Sequence, residues 1–287
     1  MNMRNWLKQI PLAANAYKKI NMFARNNSNA SIIERLGELE LGKAGEIREV
    51  LLRSQQPLAE FEQRWIDQIE QQRERLLKCR TSLNDGSLGR AGLYDDNVSI
   101  RDACLVSKPP APGRLLFLLA QSVKPLNVIE LGTNVGLSSA FIGAGLKAGG
   151  GEGRLFTLDA SPYRQRLARE VHQAIRLDNV NYIEGLFSET LSSALSQMGT
   201  VDLAFIDGHH QYQPTLDYFE EILKCSTPNT IFVFDDIRWS DGMKKAWERI
   251  QLDDRLGVVV DLSSVGICTR QHDAKRNRYV SDPIYLF

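Results

Sequence analysis

Two apolar runs that stop at acid constrain this chain more than any other feature. Val201-Asp-Leu-Ala-Phe-Ile206 runs into Asp207-Gly-His209-His210, and Ile231-Phe-Val-Phe234 runs into Asp235-Asp236. Near-continuous Val, Ile, Leu and Phe without alternation marks strands buried on both faces, as in a parallel sheet. Ligands of an open α/β sheet bind just beyond the carboxyl ends of its strands. Two neighbouring strands would therefore deliver three carboxylates and a histidine to one rim. Carboxylates so placed repel one another, and a divalent cation would offset that.

The same alternation extends on both sides of these runs. Strand patterns over 127–131, 154–158, 180–183, 201–206 and 230–234 are separated by helical patterns over 137–147, 163–177, 188–197 and 214–225. Repeated strand–helix–strand order predicts right-handed crossovers and a parallel sheet with helices on both faces. A helix over 241–252 follows. Strands over 256–261 and 265–269 come next, joined by Leu-Ser-Ser, a link too short for a parallel crossover, so this pair should be antiparallel. The expected fold is α/β, a seven-stranded and mostly parallel sheet closed by an antiparallel C-terminal hairpin.

The first ninety residues read differently. Before Glu34 the only charges are basic, namely Arg4, Lys8, Lys18, Lys19 and Arg25, which suits a loosely ordered or packed helical extension, or else a membrane-surface or partner-binding arm. A helix over 31–53 is weakened by Gly37, Gly42 and Gly45, and Pro57 opens a stronger one to about Arg80. Phe61, Trp65, Ile69 and Leu76 fall on one face of it, to be buried by the rest of the chain or in a homodimer. Asn84-Asp-Gly-Ser reads as a linker. We therefore expect a helical N-terminal extension over 1–90 and a main domain over 91–287. Ser107-Lys108-Pro-Pro reads as a rigid extended segment, a lid or a linker.

Composition narrows the function classes. The chain has 287 residues, 43% hydrophobic and 24% charged, with zero formal net charge, so no global field draws it to nucleic acid or acidic lipid. Its four cysteines are scattered, without the paired spacing of a disulfide framework or zinc site, which suits a reducing cytoplasm. No apolar run approaches the ~18 residues of a membrane span, and no signal peptide is evident.

Val128-Ile-Glu130-Leu-Gly132-Thr133-Asn134-Val-Gly136-Leu-Ser138 is a strand, a glycine turn and a helix start. Gly132 and Gly136 allow a tight turn and close approach of a ligand, and the helix N-terminus favours a negative group. Asn134 stands where the dinucleotide fingerprint has its middle glycine. The next strand-end acid, Asp159, lies further on than the roughly 20 residues that fingerprint expects. Asp159 is placed to accept hydrogen bonds from a ribose diol, or else to cap the helix at Pro162, with Ser161 competing for that cap.

Together these residues resemble the class I S-adenosylmethionine-dependent methyltransferases, over roughly Pro112 to Arg270. Glu130-x-Gly132-x-x-x-Gly136 is similar to their first motif, and Ile206-Asp-Gly-His-His-Gln-Tyr212 with Phe234-Asp-Asp236 resembles the metal-dependent branch that includes catechol-type and sugar O-methyltransferases. The resemblance implies a Rossmann-like fold and S-adenosyl-L-methionine as methyl donor. It implies donor contacts from Glu130, Gly132, Thr133, Asn134, Gly136, Ser138, Asp159, Ala160, Phe187, Ser188, Asp207 and His209. It also implies Mg2+ held by Asp207, Asp235 and Asp236, His210 as general base beside Asp207, and a small-molecule hydroxyl as acceptor. The N-terminal extension matches nothing in that pattern. Metal-free methylation of oxygen or nitrogen by His210 alone is the nearest alternative. A non-catalytic donor-binding module and a nicotinamide oxidoreductase are further ones. Trp239 could form a wall for the acceptor, and Tyr212 reads as packing.

Overall fold

The computed structural model describes residues 29–83, 98–271 and 278–286. The basic N-terminal stretch, the Asn84 linker and the expected domain boundary lie outside the described residues. The helix expected over 31–53 is two helices, α1 (29–37) and α2 (Ala44–Arg53). They part at Gly42, whose φ of 44° takes the chain through the left-handed region that glycine enters most readily.

Helix α3 (Glu60–Leu77) starts three residues after Pro57 and presents a face turned slightly from the expected one. Ile66, Ile69 and Leu76 are buried, but so is Glu62, while Phe61 is 44% exposed. Glu62 sets the phase. It pairs with Arg53 of α2 and accepts the Ala59 backbone N–H at 2.9 Å. Burial pushes its pKa up, but the Ala59 N–H and the Arg53 guanidinium win and hold the carboxyl below its ordinary range.

Two helices lead into the sheet, α4 (Ile100–Leu105) and α5 (Pro110–Val123). The prolines that read as an extended segment in fact start α5, because a first-turn proline gives up only an N–H that the helix leaves unbonded anyway. Leu115 to Gln121 are buried without a break, so α5 is an internal helix.

The alternating part follows the expected order: β1 (Asn127–Leu131), α6 (Leu137–Ala148), β2 (Arg154–Asp159), α7 (Pro162–Ala174), β3 (Val180–Glu184), α8 (Phe187–Met198), β4 (Val201–Ile206), α9 (Tyr212–Lys224), β5 (Ser226–Phe234), α10 (Asp241–Gln251), β6 (Leu256–Asp261) and β7 (Gly266–Arg270). A two-residue β8 (Tyr279–Val280) adds an eighth strand that the sequence did not announce. The single sheet runs β3-β2-β1-β4-β5-β7-β6-β8. The first five strands in this order are parallel, and β7 pairs antiparallel with both β5 and β6, as the short Leu-Ser-Ser link requires. The order reverses between β1 and β4, which makes their carboxyl ends the topological switch point.

Two cores flank the sheet. One face packs Phe219, Phe232, Phe234 and Trp247 under α8, α9 and α10. The other packs Val128, Val258 and Ile267 with α5 and α6, and also with Ile47 and Leu51 of α2 and Ile69 and Leu76 of α3. Helices α5 and α6 approach so closely that a Cβ on Gly145 would overlap the Phe117 carbonyl. No helix among the described residues is long and apolar enough to cross a membrane.

Candidate active site

Four strand ends build the site. At the end of β1, Gly132 (φ 105°) turns the chain, and its N–H donates to the Leu158 carbonyl at 2.9 Å. A side chain here would strike the Asp207 carbonyl at the end of β4, so only glycine lets the two strand ends sit this close. Gly136 (φ 85°) caps α6, and a Cβ there would lie 2.7 Å from Ala168. His172 fixes this turn from below. Its Nε2 lies 2.8 Å from the Gly136 carbonyl, to which it donates, leaving Nδ1 to accept from the Tyr182 hydroxyl at 2.6 Å. Burial holds the His172 pKa down at about 4, so the imidazole is neutral.

Between the glycines, Asn134 (φ 47°) takes the left-handed conformation that asparagine tolerates. Its backbone N–H donates to Asp159 Oδ2 at 2.8 Å. Its side-chain amide donates to the Ala103 carbonyl and to Ser107 Oγ, and its Oδ1 accepts from Arg164 at 2.8 Å. Asp159 Oδ1 accepts the Ser161 N–H at 2.9 Å, and the Ser161 hydroxyl, not Asp159, caps α7. Below the loop, Glu130 is wholly buried and accepts from Thr157 Oγ1 at 2.5 Å, while Thr133 Oγ1 lies 2.6 Å from that hydroxyl. Burial raises the Glu130 pKa to about 8, although the Ser138 and Thr157 hydroxyls pull the other way.

The acids divide into two groups. Ligand atoms of Asp207, His210 and Asp236 lie within 4.8 Å of one another. His210 Nε2 is 3.7 Å from Asp207 Oδ1 and 4.0 Å from Asp236 Oδ2. Asp235 faces elsewhere, paired with Lys108. His209, His210 and Asp236 all have positive φ, at 69°, 42° and 51°. Left-handed non-glycine residues are sparse, and they gather at sites where geometry outweighs local comfort. His209 points away from the acids, with Nδ1 2.8 Å from the Tyr218 hydroxyl. Phe187 closes the same side, packed edge-on to Tyr218 with centroids 5.5 Å apart and in contact with Gly208. Ser188 is exposed beside it, Ala160 is half-buried after β2, and Trp239 and Tyr212 are exposed beyond the acids.

The sequence did not single out Lys108, His172, Tyr182 or Tyr218. Lys108 falls in a segment flagged only for its prolines. The histidine and tyrosines carry no spacing signal, because their partners lie on other elements, 9 to 36 positions away.

Residues 129–237 match a family described as a methyltransferase domain. That match covers under half of the chain. The matched stretch begins in β1 and ends just past Asp236, so it contains every candidate acid but neither Lys108 nor the N-terminal helices. Two relatives are named catechol O-methyltransferase. One, from Niastella koreensis, is 31% identical over 134 residues, 46% of this chain and 58% of that protein. The other, from Mycobacterium tuberculosis, is 28% identical over 132 residues, 46% of this chain and 57% of that protein. The chain thus spans less than two thirds of the curated relatives it matches. An SAH-bound methyltransferase from Podospora anserina superposes with a TM-score of 0.53 at 18% identity, covering 75% of this chain and 89% of that one. At that identity the likeness establishes the fold and nothing finer.

Proposed function

We propose that this chain transfers a methyl group from S-adenosylmethionine to a hydroxyl of a small molecule, with a divalent cation assisting. One observation carries the reading: the glycine turn, Asp159 and the Asp207–His210–Asp236 cluster converge on adjacent strand ends at the switch point. Glycine at 132 and 136 lets the turn pack against the Asp207 carbonyl and Ala168, where a side chain would collide, and so brings the β1 and β4 ends together. In this reading Gly132, Thr133, Asn134, Gly136 and Ser138 hold the donor, with Glu130 beneath them. Asp159 and Ala160 receive its ribose. Phe187, Ser188 and His209 flank its base.

The donor supplies an already activated methyl group, so the protein's work is alignment and proton removal. Alignment alone is worth about 7–11 kcal/mol in favourable cases. The donor set also fits a hard cation, because the Asp207 and Asp236 carboxylates come together at one point with His210 beside them. Such a cation lowers the pKa of a bound hydroxyl. Asp207 and Asp236 would hold it, and His210 would take the proton released. Base catalysis of this kind contributes ~10²–10⁴-fold. His210→Ala should cut turnover by that order while leaving donor affinity within about threefold; unchanged turnover would remove His210 from the chemistry. The direct test is calorimetric titration of S-adenosylhomocysteine with and without Mg2+. No binding in either condition would end the reading.

A second reading drops the cation and leaves His210 to act alone. It is favoured by the Lys108–Asp235 pair, which already neutralises one of the three acids. Activity that survives thorough chelation would select it. The N-terminal helices are proposed as part of the acceptor side, since Arg73 of α3 donates to the Lys108 carbonyl at 2.7 Å.

A further inference from the structure

The family pattern asks the two adjacent acids after β5 to act together, and this chain separates them. Asp236 turns through positive φ into contact with Asp207 and His210. Asp235, just past the end of β5, donates its N–H to the Ile206 carbonyl at 3.0 Å and sends its carboxylate to Lys108. Both partners are sequestered, Lys108 at 8% and Asp235 at 3% exposure. The ammonium also lies 5.8 Å from the centre of the Phe205 ring, on the strand next to Asp235. The segment that carries the lysine is held at three points. Arg73 donates to its carbonyl, Pro109 restricts it from the following position, and Ser107 before it accepts from Asn134 of the glycine turn. An ammonium fixed in this way is part of the site's frame.

We propose that Lys108 is a built-in counter-cation that takes Asp235 out of the ligand set, leaving Asp207 and Asp236 as the carboxylates that hold a divalent ion. The inference rests on the cation-assisted reading above. Charge supports it, because two carboxylates balance a divalent ion while Asp235 and Lys108 balance each other. Position supports it as well. One oxygen of Asp235 is on the ammonium, and the other, Oδ1, is buried with no hydrogen-bond partner. A metal drawn to that oxygen would have to sit beside a fixed positive charge, which repels it. Lys108 is therefore a positioning residue. It acts through Asp235, and through Ser107 and Asn134 it ties the acceptor acids to the donor loop.

Binding of Mn2+ alone to the full chain, read by electron paramagnetic resonance, tests this. Asp236→Asn should weaken binding at least tenfold. Lys108→Met should strengthen it about tenfold or more, because a positive charge leaves and Asp235 is freed to coordinate. The decisive variant is the double Lys108→Met, Asp235→Asn, which replaces one neutral pair by another. Its Mn2+ affinity should stay within threefold of the parent protein. A tenfold loss would show that Asp235 is a ligand and overturn the proposal, as would an unchanged affinity in Lys108→Met. Titration with S-adenosylhomocysteine confirms that each variant is folded. A parent protein that binds S-adenosylhomocysteine but no Mn2+ would overturn this proposal and the cation reading together, and leave the donor site standing.

Discussion

Glu130 and His172 show what burial does to single titratable groups beneath the glycine turn. Glu130 has a native pKa raised from 4.5 to about 8, so between those values the native state keeps a proton that the unfolded chain has lost. Stability then falls as pH rises through that window, by up to about 1.4 kcal/mol per pH unit. His172 is depressed from 6.5 to about 4, so between about pH 4 and 6.5 the unfolded chain binds a proton that the native state refuses. Its contribution is complete above 6.5 and is lost as pH falls. The two slopes oppose each other up to pH 6.5, and above it only the Glu130 slope remains. Urea unfolding at pH 6.5 and 8 should show the parent protein losing stability and Glu130→Gln holding nearly level; parallel curves would mean that Glu130 ionises freely in the fold. At Gly132, an alanine would meet both a φ of 105° and the Asp207 carbonyl. Gly132→Ala should cost about 1–3 kcal/mol of stability and most of the affinity for S-adenosylhomocysteine, measured by thermal unfolding and calorimetry.

Elements announced themselves where one physical signal dominated. The buried strands were legible because parallel pairing with helices on both faces leaves no polar alternation, and β1 to β7 lie where those runs are. Helix α5 was hidden because three prolines near its start resemble an extended segment until the first-turn rule is applied to them. Helix α3 was found with its phase slightly wrong. Burial of Glu62 depends on Arg53, which lies on another helix, and an apolar count cannot see that. Because the pair sets how α3 docks, Glu62→Gln should lower stability by about 1–3 kcal/mol while leaving donor affinity unchanged. A melting temperature equal to the parent's would show that the apolar residues alone dock the helix. The site divides in the same way. The glycine turn and the acids were readable from strand ends, whereas Lys108 reaches Asp235 from 127 positions earlier in the chain, with no local pattern to mark it.

At the scale of the molecule, the helical extension and the sheet share one hydrophobic core, since Ile47, Leu51, Ile69 and Leu76 pack in the same cluster as Val128 and Ile267. Deleting residues 1–97 would expose the apolar faces of α5 and α6 and remove Arg73 from beneath Lys108. Each large side chain left facing water forfeits roughly 1.5–3 kcal/mol. The shortened chain should lose cooperative unfolding in calorimetric scans. A sharp transition at the parent temperature would instead make the extension a dispensable appendage.

The far margin of the sheet bears on how copies of the protein could meet. Beyond β6, the short β8 and the residues after it occupy the backbone groups that an incoming strand would use, with the Ser281 and Ile284 N–H groups donating to the Val259 and Asp261 carbonyls. Asn29 and Tyr285 then latch that tail to α1 by reciprocal hydrogen bonds. Among the described residues this leaves β3 as the one long margin open to strand addition. Among the described residues, a continuous intermolecular sheet would be seeded along Val180–Glu184; Glu184→Pro, at a position whose N–H faces away from β2 because the next residue, Gly185, donates to the Asp159 carbonyl, would discriminate strand-mediated self-association from contacts made through helices.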